Sequence, residues 1–160
     1  MYKRQVFVRT GRVKTPVIYA ADQRFEIGKA IEVMAGDDVT LIANGLMVAE
    51  AIRAQGILAA EGISARVIDM HTAKPLDRDA IERAAAQTGA IVVAEEHLVD
   101  AGLGVRVAQV VTETHPCPME FVGVTGYAEY GSPESLLDKY GMRAVNVAAA
   151  ARKVLGRKKT

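Results

Sequence analysis

The sequence predicts an α/β protein with three layers, α/β/α, in which a mostly parallel sheet of about five strands follows an extended N-terminal segment. Two observations predict this class. Short apolar runs rich in β-branched residues alternate with segments whose apolar residues recur at helical spacing. The segments between these runs are also long enough to hold the crossover helices that parallel strands need. Because 160 residues suffice for one full core but hardly for two, we expect one main domain.

The first predicted strand, residues 38–43, is the apolar run DVTLIA, and it follows a Gly36-Asp37 turn. The helix predicted over 47–60 has apolar residues on one face and ends before Gly62, a residue typical of helix ends. The same alternation continues to the end of the chain. Further strands are predicted over 64–70, 90–94 and 119–124, and further helices over 77–87, 102–114, 133–140 and 145–155.

Residues 1–37 differ from the rest of the chain. They contain one short β-like run at 5–9, a basic turn at 10–14 and an extended stretch at 16–19. A lone strand cannot satisfy its own backbone groups, so the run pairs either with an edge of this sheet or with a sheet outside this chain. The residues alone leave both options open.

Composition excludes several classes of function. Twenty Lys and Arg against nineteen Asp and Glu give a net charge of +1, which predicts no nucleic-acid partner. No apolar run approaches the roughly 20 residues that span a bilayer, so we expect no membrane span. The single cysteine, Cys117, excludes an internal disulfide and is typical of a reducing compartment, so we expect a cytoplasmic protein.

One local group of residues could carry chemistry. Glu95, Glu96 and His97 follow the strand predicted over 90–94, and Gly102 and Gly104 form a Gly-Leu-Gly turn before the next helix. Open α/β sheets bind ligands at the carboxyl ends of their strands. Two acids and a histidine there could act as acid and base. The alternative is structural: the group caps a helix or lines an interface, and we treat its members as interface or loop candidates.

The other candidates are weaker. His71 follows a predicted strand, where a local hydrogen bond explains a histidine as well as catalysis does, and His115 and Cys117 lie in a loop with flanking prolines. A dinucleotide fingerprint would need a third glycine where Val107 stands. Walker, HExxH, GxSxG and CxxC motifs are missing from the sequence. The residues therefore predict an α/β domain with no complete catalytic set and no metal site.

Most of the chain resembles the C-terminal domain of transketolases, especially the C-terminal subunit of split transketolases. Related domains occur in deoxyxylulose-phosphate synthases and in the β subunits of 2-oxo-acid dehydrogenases. The resemblance is carried by FEIGKA at 25–30, DVTLIANG at 38–45, VIDMHTAKPLD at 67–77, AEEH at 94–97 with GLG at 102–104, and GSPESLLDKYG at 131–141.

The resemblance implies a division of the chain and a set of partners. Residues 1–37 would be the end of a truncated pyrimidine-binding domain plus a linker, and residues 38–160 would be the C-terminal domain. The family holds thiamine diphosphate and a divalent cation between a diphosphate-binding and a pyrimidine-binding domain, so no cofactor is expected in this chain. The complete assembly would be a homodimer or a heterotetramer that transfers two-carbon ketol units between sugar phosphates, and this chain would be inactive alone.

One site residue is implied by the same resemblance. Arg9 matches the arginine at the end of the last pyrimidine-domain strand, which contacts the substrate phosphate in transketolases. A guanidinium suits that role because its fork gives two charge-assisted hydrogen bonds to phosphate oxygens.

Two other functions remain open from the sequence. The domain could belong to a 2-oxo-acid dehydrogenase E1 β-subunit or a deoxyxylulose-phosphate synthase, or it could be a free-standing binding or regulatory module. A domain that evolved alone should carry polar residues on its former interface, whereas one that needs a neighbour should expose apolar residues there.

Overall fold

The structure is a computed structural model that describes residues 5–11 and 14–158. Five strands and five helices follow one another in these residues. The strands are β1 (Ile31–Met34), β2 (Val39–Ala43), β3 (Ala65–Asp69), β4 (Ile91–Leu98) and β5 (Met119–Val124), and the helices are α1 (Leu46–Ala59), α2 (Arg78–Thr88), α3 (Leu103–Glu113), α4 (Pro133–Lys139) and α5 (Ala144–Leu155).

The strands form one sheet in the order β1-β3-β2-β4-β5. Strands β2 to β5 are parallel, and only β1 is antiparallel to its neighbour, β3. Every residue of β2 and β3 is buried, because both faces of these strands are covered by helices. This confirms the predicted fold class, including its mostly parallel sheet of five strands.

The helices pack on both faces of the sheet. From β2 the chain crosses to β3 on one side and later returns to β4 on the other side, which reverses the direction of winding. Because such crossovers are right-handed, this reversal places α1 on one face and α2 and α3 on the opposite face. Helices α1 and α5 share one apolar cluster, and α2 and α3 share the other. The carboxyl ends of β2 and β4 form the switch point where open α/β sheets bind ligands.

Strand β1 was not predicted from the sequence. Its four residues, IEVM, include the charged Glu32, and its burial is partial because it lies at the edge of the sheet. Such a short edge strand gives little hydrophobic pattern, and only its pairing with β3 reveals it. The sheet therefore begins before residue 38. Where the complete protein divides into domains stays a prediction.

Strand β4 is longer than predicted. It continues through Leu98, with an irregularity in its pairing to β5 between Ala94 and Leu98. Glu95, Glu96 and His97 therefore lie on the strand rather than in a loop after it. The sequence signal was lost because burial stops after Glu95 and the remaining residues face solvent.

The described N-terminal residues, 5–11 and 14–30, contain no helix or strand. The β-like run at 5–9 therefore pairs with no edge of this sheet. Its apolar side chains are exposed, and Phe7 is 90% accessible. The two ends of the chain at 1–4 and 159–160, and part of the basic turn at 12–13, lie outside the described residues.

Candidate functional site

The carboxylate of Glu95 receives the N-terminus of α3. Its Oε2 accepts a hydrogen bond from the backbone N–H of Leu103 at 2.7 Å, and its Oε1 accepts one from the N–H of Gly104 at 2.8 Å. Glu95 is only 3% exposed. A helix N-terminus carries free N–H groups and a partial positive charge, so a buried carboxylate is stable there. Glu95 is therefore a helix cap, which agrees with the structural alternative that the sequence left open.

Gly102 and Gly104 make room for this cap. A Cβ on Gly102 would lie 1.9 Å from Oε2 of Glu95, and a Cβ on Gly104 would lie 2.6 Å from Cδ1 of Phe121. Neither glycine has the positive φ that glycine alone adopts easily. Close approach is thus the reason for glycine at both positions, and the Gly-Leu-Gly turn presents its N–H groups to a protein carboxylate.

Glu96 and His97 remain exposed beside this cap. The Nδ1 atom of His97 lies 3.2 Å from the carbonyl oxygen of Leu98, to which it can donate. Among the described residues, neither side chain has an ion-pair partner. They therefore face solvent near the carboxyl end of β4, where another domain or a ligand has access to them. Their role in an interface stays a prediction.

A second polar cluster, which no local sequence pattern indicated, lies at the end of β3. The hydroxyl of Tyr19 donates to Oδ2 of Asp69 at 2.7 Å. Burial raises the pKa of Asp69, while the hydrogen bond from Tyr19 and the charge of His71 act in the opposite direction. Burial, followed by the contact with Asp69, raises the pKa of the Tyr19 hydroxyl. This hydrogen bond ties the N-terminal segment to the sheet.

Aromatic contacts extend this attachment. The ring of Phe25 meets Tyr19 edge to face at a centroid distance of 5.1 Å, and it meets His71 at 5.3 Å. Oδ1 of Asp69 and Nε2 of His71 are buried and have no hydrogen-bond partner among the described residues. His71 is thus part of the site that holds the linker. In the sequence, the only sign of this role was the position of His71 in the run DMHT, directly after a predicted strand.

Glu50 is a further buried carboxylate that the sequence analysis missed. It is 3% exposed, its Oε2 accepts from the N–H of Ala144 at 2.7 Å, and its Oε1 is paired with Arg53. The contact joins α1 to the N-terminus of α5. Ninety-four positions separate the two residues, so no local pattern could have indicated it.

Arg9 is exposed, and it has no ion-pair partner within residues 5–11 and 14–158. Its neighbours Val6, Phe7 and Val8 are exposed as well. The structure does not bring Arg9 together with Glu95, Glu96 or His97 through any hydrogen bond. Exposed apolar residues that follow one another in this way are typical of an interaction surface.

The described residues lack the donor set that a metal or an activated thiol would need. Within 5–11 and 14–158, no three His, Cys, Asp or Glu side chains are grouped so that they could hold a metal ion. Burial raises the pKa of Cys117, which keeps its thiol protonated and weakly nucleophilic. The N–H groups at the N-terminus of α3 already donate to Glu95. These described residues therefore do not form a site for thiamine diphosphate and its cation. In addition, no helix of the described part is long and apolar enough to cross a membrane.

Fold and site together define the class of protein. It is a doubly wound α/β domain in which buried carboxylates cap the N-termini of α3 and α5, and its N-terminal segment exposes apolar residues. Residues 28–147 match the family model described as "Transketolase, C-terminal domain". The chain therefore belongs to the transketolase family and contains its C-terminal domain.

Relatives with curated names agree with this assignment. The chain is 40% identical over 154 residues to the "6-deoxy-6-sulfo-D-fructose transketolase subunit SqwH" of Clostridium sp., covering 96% of this chain and 48% of that protein. It is 38% identical over 143 residues to one of the subunits of the apulose-4-phosphate transketolase of Phocaeicola vulgatus, covering 88% and 46%. The chain thus spans about half the length of these relatives.

Solved structures show the same relation. A chain described as "Split gene transketolase, inactive beta4 tetramer" superposes with a TM-score of 0.90 at 44% identity, covering 92% of this chain and 49% of that one. The transketolase from Leishmania mexicana superposes with a TM-score of 0.65 at 20% identity, which supports the fold alone. The family predicted from the sequence, that of transketolases, is confirmed. A complete enzyme of this family uses thiamine diphosphate.

Proposed function

We propose that this chain contributes the C-terminal domain to a split transketolase, a thiamine-diphosphate-dependent enzyme that transfers two-carbon ketol units between sugar phosphates. The observation that carries the proposal is the match over nearly the whole chain to about half of two transketolase subunits. The pyrimidine-binding and diphosphate-binding domains, which hold the cofactor in this family, would come from other polypeptide segments.

The role of the domain in this assembly is mechanical. Glu95 and Glu50 fix the N-termini of α3 and α5 from inside the domain, so these helices need no ligand. The Tyr19–Asp69 bond fixes the direction in which the N-terminal segment leaves the sheet. Residues 5–11, with their exposed apolar side chains, would then pair with the pyrimidine-binding domain. Glu96 and His97 would line the contact between the domains.

Arg9 would bind the substrate phosphate in the complete enzyme. Its side chain is free of ion pairs among the described residues, which leaves all of its guanidinium donors for a ligand. The enzyme would be a homodimer or heterotetramer in the cytoplasm, where the single unpaired thiol of Cys117 is stable.

The test is reconstitution. The chain alone, with thiamine diphosphate and Mg²⁺, should transfer no ketol unit from a ketose phosphate. Mixing it with polypeptides that supply the diphosphate-binding and pyrimidine-binding domains should give a complex on a sizing column and restore transfer. Absence of a complex with every such partner, or full activity of the chain alone, would overturn the proposal.

A second candidate rests on a specific relative. The chain is 38% identical over 130 residues to the 1-deoxy-D-xylulose-5-phosphate synthase of Heliobacterium modesticaldum. Formation of 1-deoxy-D-xylulose 5-phosphate by the reconstituted enzyme, without ketol transfer, would favour this function.

Turnover of a 2-oxo acid with an artificial electron acceptor would instead indicate a 2-oxo-acid dehydrogenase E1 β-subunit. If the chain forms no complex with any partner, stays monomeric and unfolds cooperatively by itself, it would be a free-standing binding module.

A further inference from the structure

A cleft of about 310 Å³ lies between the loop that follows β3 and the exposed side of α3. Three cationic side chains line it: Lys74 from the loop, Arg78 from the first turn of α2 and Arg106 from α3. None of the described residues that line it is acidic. In a chain whose net charge is only +1, the cleft is therefore a local concentration of positive charge.

One of these cations is already held in place. Nη2 of Arg78 donates to Oε2 of Glu113 at 2.6 Å, and Nε2 of Gln109 donates to Oε1 of the same carboxylate at 3.0 Å. The hydrogen bond from Arg78 lowers the pKa of Glu113, so this carboxylate stays ionised. Arg78 and Gln109 are thereby fixed at one wall of the cleft, and Arg78 retains further N–H donors.

The other two cations are uncompensated. Across residues 5–11 and 14–158, no carboxylate lies within ion-pair distance of Lys74 or Arg106. Gathering like charges around a concave surface is unfavourable, and low-dielectric walls increase their attraction for an anion. Neither cation is used by the helix caps or by the linker contact described above.

The remaining lining is apolar. Pro75 and Leu76 form a carbon surface beside the cations, and the buried Val110 lies beneath it. Small-molecule sites combine such a surface with a few polar groups that fix orientation, and their volumes begin at about 300 Å³. A small inorganic anion would use the charges but not the carbon surface, whereas a metabolite with one anionic end would use both.

We propose that this cleft binds a phosphorylated small molecule, with its phosphate between Lys74 and Arg106 and its carbon skeleton against Pro75 and Leu76. Arginine suits this position because its planar fork gives two parallel charge-assisted hydrogen bonds to a phosphate, and lysine adds a point charge. Only the tertiary structure brings these residues together, since they belong to the loop after β3 and to α3.

The experiment is a titration of the full chain with ribose 5-phosphate, inorganic phosphate and ribose as probes, measured by calorimetry and by amide chemical shifts. Ribose 5-phosphate should bind at least tenfold more tightly than inorganic phosphate, and ribose should not bind. The shifts should be confined to residues 74–78 and 106–110, and raising the salt concentration should weaken binding because the contact is electrostatic.

Two variants test the residues. Arg106→Gln should weaken ribose 5-phosphate binding at least tenfold, and adding Lys74→Gln should abolish it. Arg83→Gln is the matched control, because Arg83 is exposed on α2 and does not line the cleft; it should bind within twofold of the original chain. Both cleft side chains are exposed, so all variants should keep the same unfolding midpoint.

Three results would overturn the proposal. Equal affinity for inorganic phosphate and ribose 5-phosphate would show that the carbon surface takes no part. Equal weakening by Arg83→Gln and Arg106→Gln would show a general charge effect. Absence of binding at millimolar ribose 5-phosphate in low salt would show that the cleft is no site for such molecules.

Discussion

A Cβ on Gly102 would lie 1.9 Å from Oε2 of Glu95. The buried Glu95 carboxylate therefore leaves no room for any side chain at position 102. The two residues work as one device. The glycine lets the carboxylate reach the N–H groups of α3, and the carboxylate replaces the anion that such a helix end would otherwise attract.

The first prediction follows from this contact. Gly102→Ala should push the Glu95 carboxylate off the helix end and lower the free energy of unfolding by about 2 to 4 kcal/mol, because charge-assisted hydrogen bonds are lost. Urea unfolding measures the change. Gly126→Ala is the control, since no atom lies within 4 Å of a Cβ there. An equal effect of both substitutions would contradict the cap.

Glu50 gives the second prediction. Glu50→Ala should cost about 2 to 4 kcal/mol in unfolding free energy, because it removes a buried hydrogen bond to Ala144 and leaves Arg53 unpaired. Glu96→Ala, at an exposed acid, should change stability by less than about 0.5 kcal/mol. If the two variants unfold alike, the joint between α1 and α5 is not what stabilises this region.

The attachment of the N-terminal segment gives the third prediction. Tyr19→Phe keeps the ring but leaves Asp69 without its hydrogen bond, which should cost about 1 to 3 kcal/mol. Trypsin should also cleave faster after Arg24, because the segment detaches more often. Tyr127→Phe, at a fully exposed tyrosine, should leave both readouts unchanged. Unaltered cleavage in Tyr19→Phe would show that other contacts hold the linker.

Acid stability gives the fourth prediction. Burial raises the pKa of Glu120, but hydrogen bonds from Lys153 at 2.8 Å and Arg157 at 2.5 Å outweigh it and hold the pKa below its ordinary value. A lowered pKa in the folded state stabilises the protein above the unfolded-state value of about 4.3, and this stabilisation is lost as pH falls through the folded-state pKa.

The measurement is urea unfolding of Glu120→Gln across pH 3 to 7. The variant should be less stable than the original chain at pH 7, and the difference should shrink towards pH 3. Glu96→Gln, which lacks an ion pair among the described residues, serves as the control and should run parallel to the original chain. A constant difference for Glu120→Gln at all pH values would refute the assignment.

Arg9 gives the fifth prediction, which depends on the reconstituted enzyme. If Arg9 binds the substrate phosphate, Arg9→Ala should raise KM for a ketose phosphate about 10-fold to 100-fold, because a hydrogen bond to a charged group contributes about 1.5 to 3 kcal/mol. The value of kcat should change little. Arg24→Ala, at an exposed arginine of the same segment, is the matched control. A loss of complex formation in Arg9→Ala would indicate an interface role instead.

Local signals predicted most of the fold. The run at 119–124 coincides with β5, and the helix predicted over 77–87 lies within one residue of α2, which begins after the capping Asp77 and ends at Gly89 in a left-handed conformation. Such signals work because periodic burial and capping involve neighbouring residues. The family resemblance was visible for the same reason, since its blocks are short runs of sequence.

The sequence by itself determined the alternation of strands and helices, the parallel sheet and the family. Only the tertiary structure decided that β1 joins the sheet, that Glu95 caps α3 while Glu96 and His97 face solvent, and that Tyr19 reaches Asp69. These features depend on contacts between residues far apart in the chain or on which face of a strand a side chain occupies. Local patterns carry neither kind of information, because the free energy of such contacts arises only after the sheet has brought the residues together.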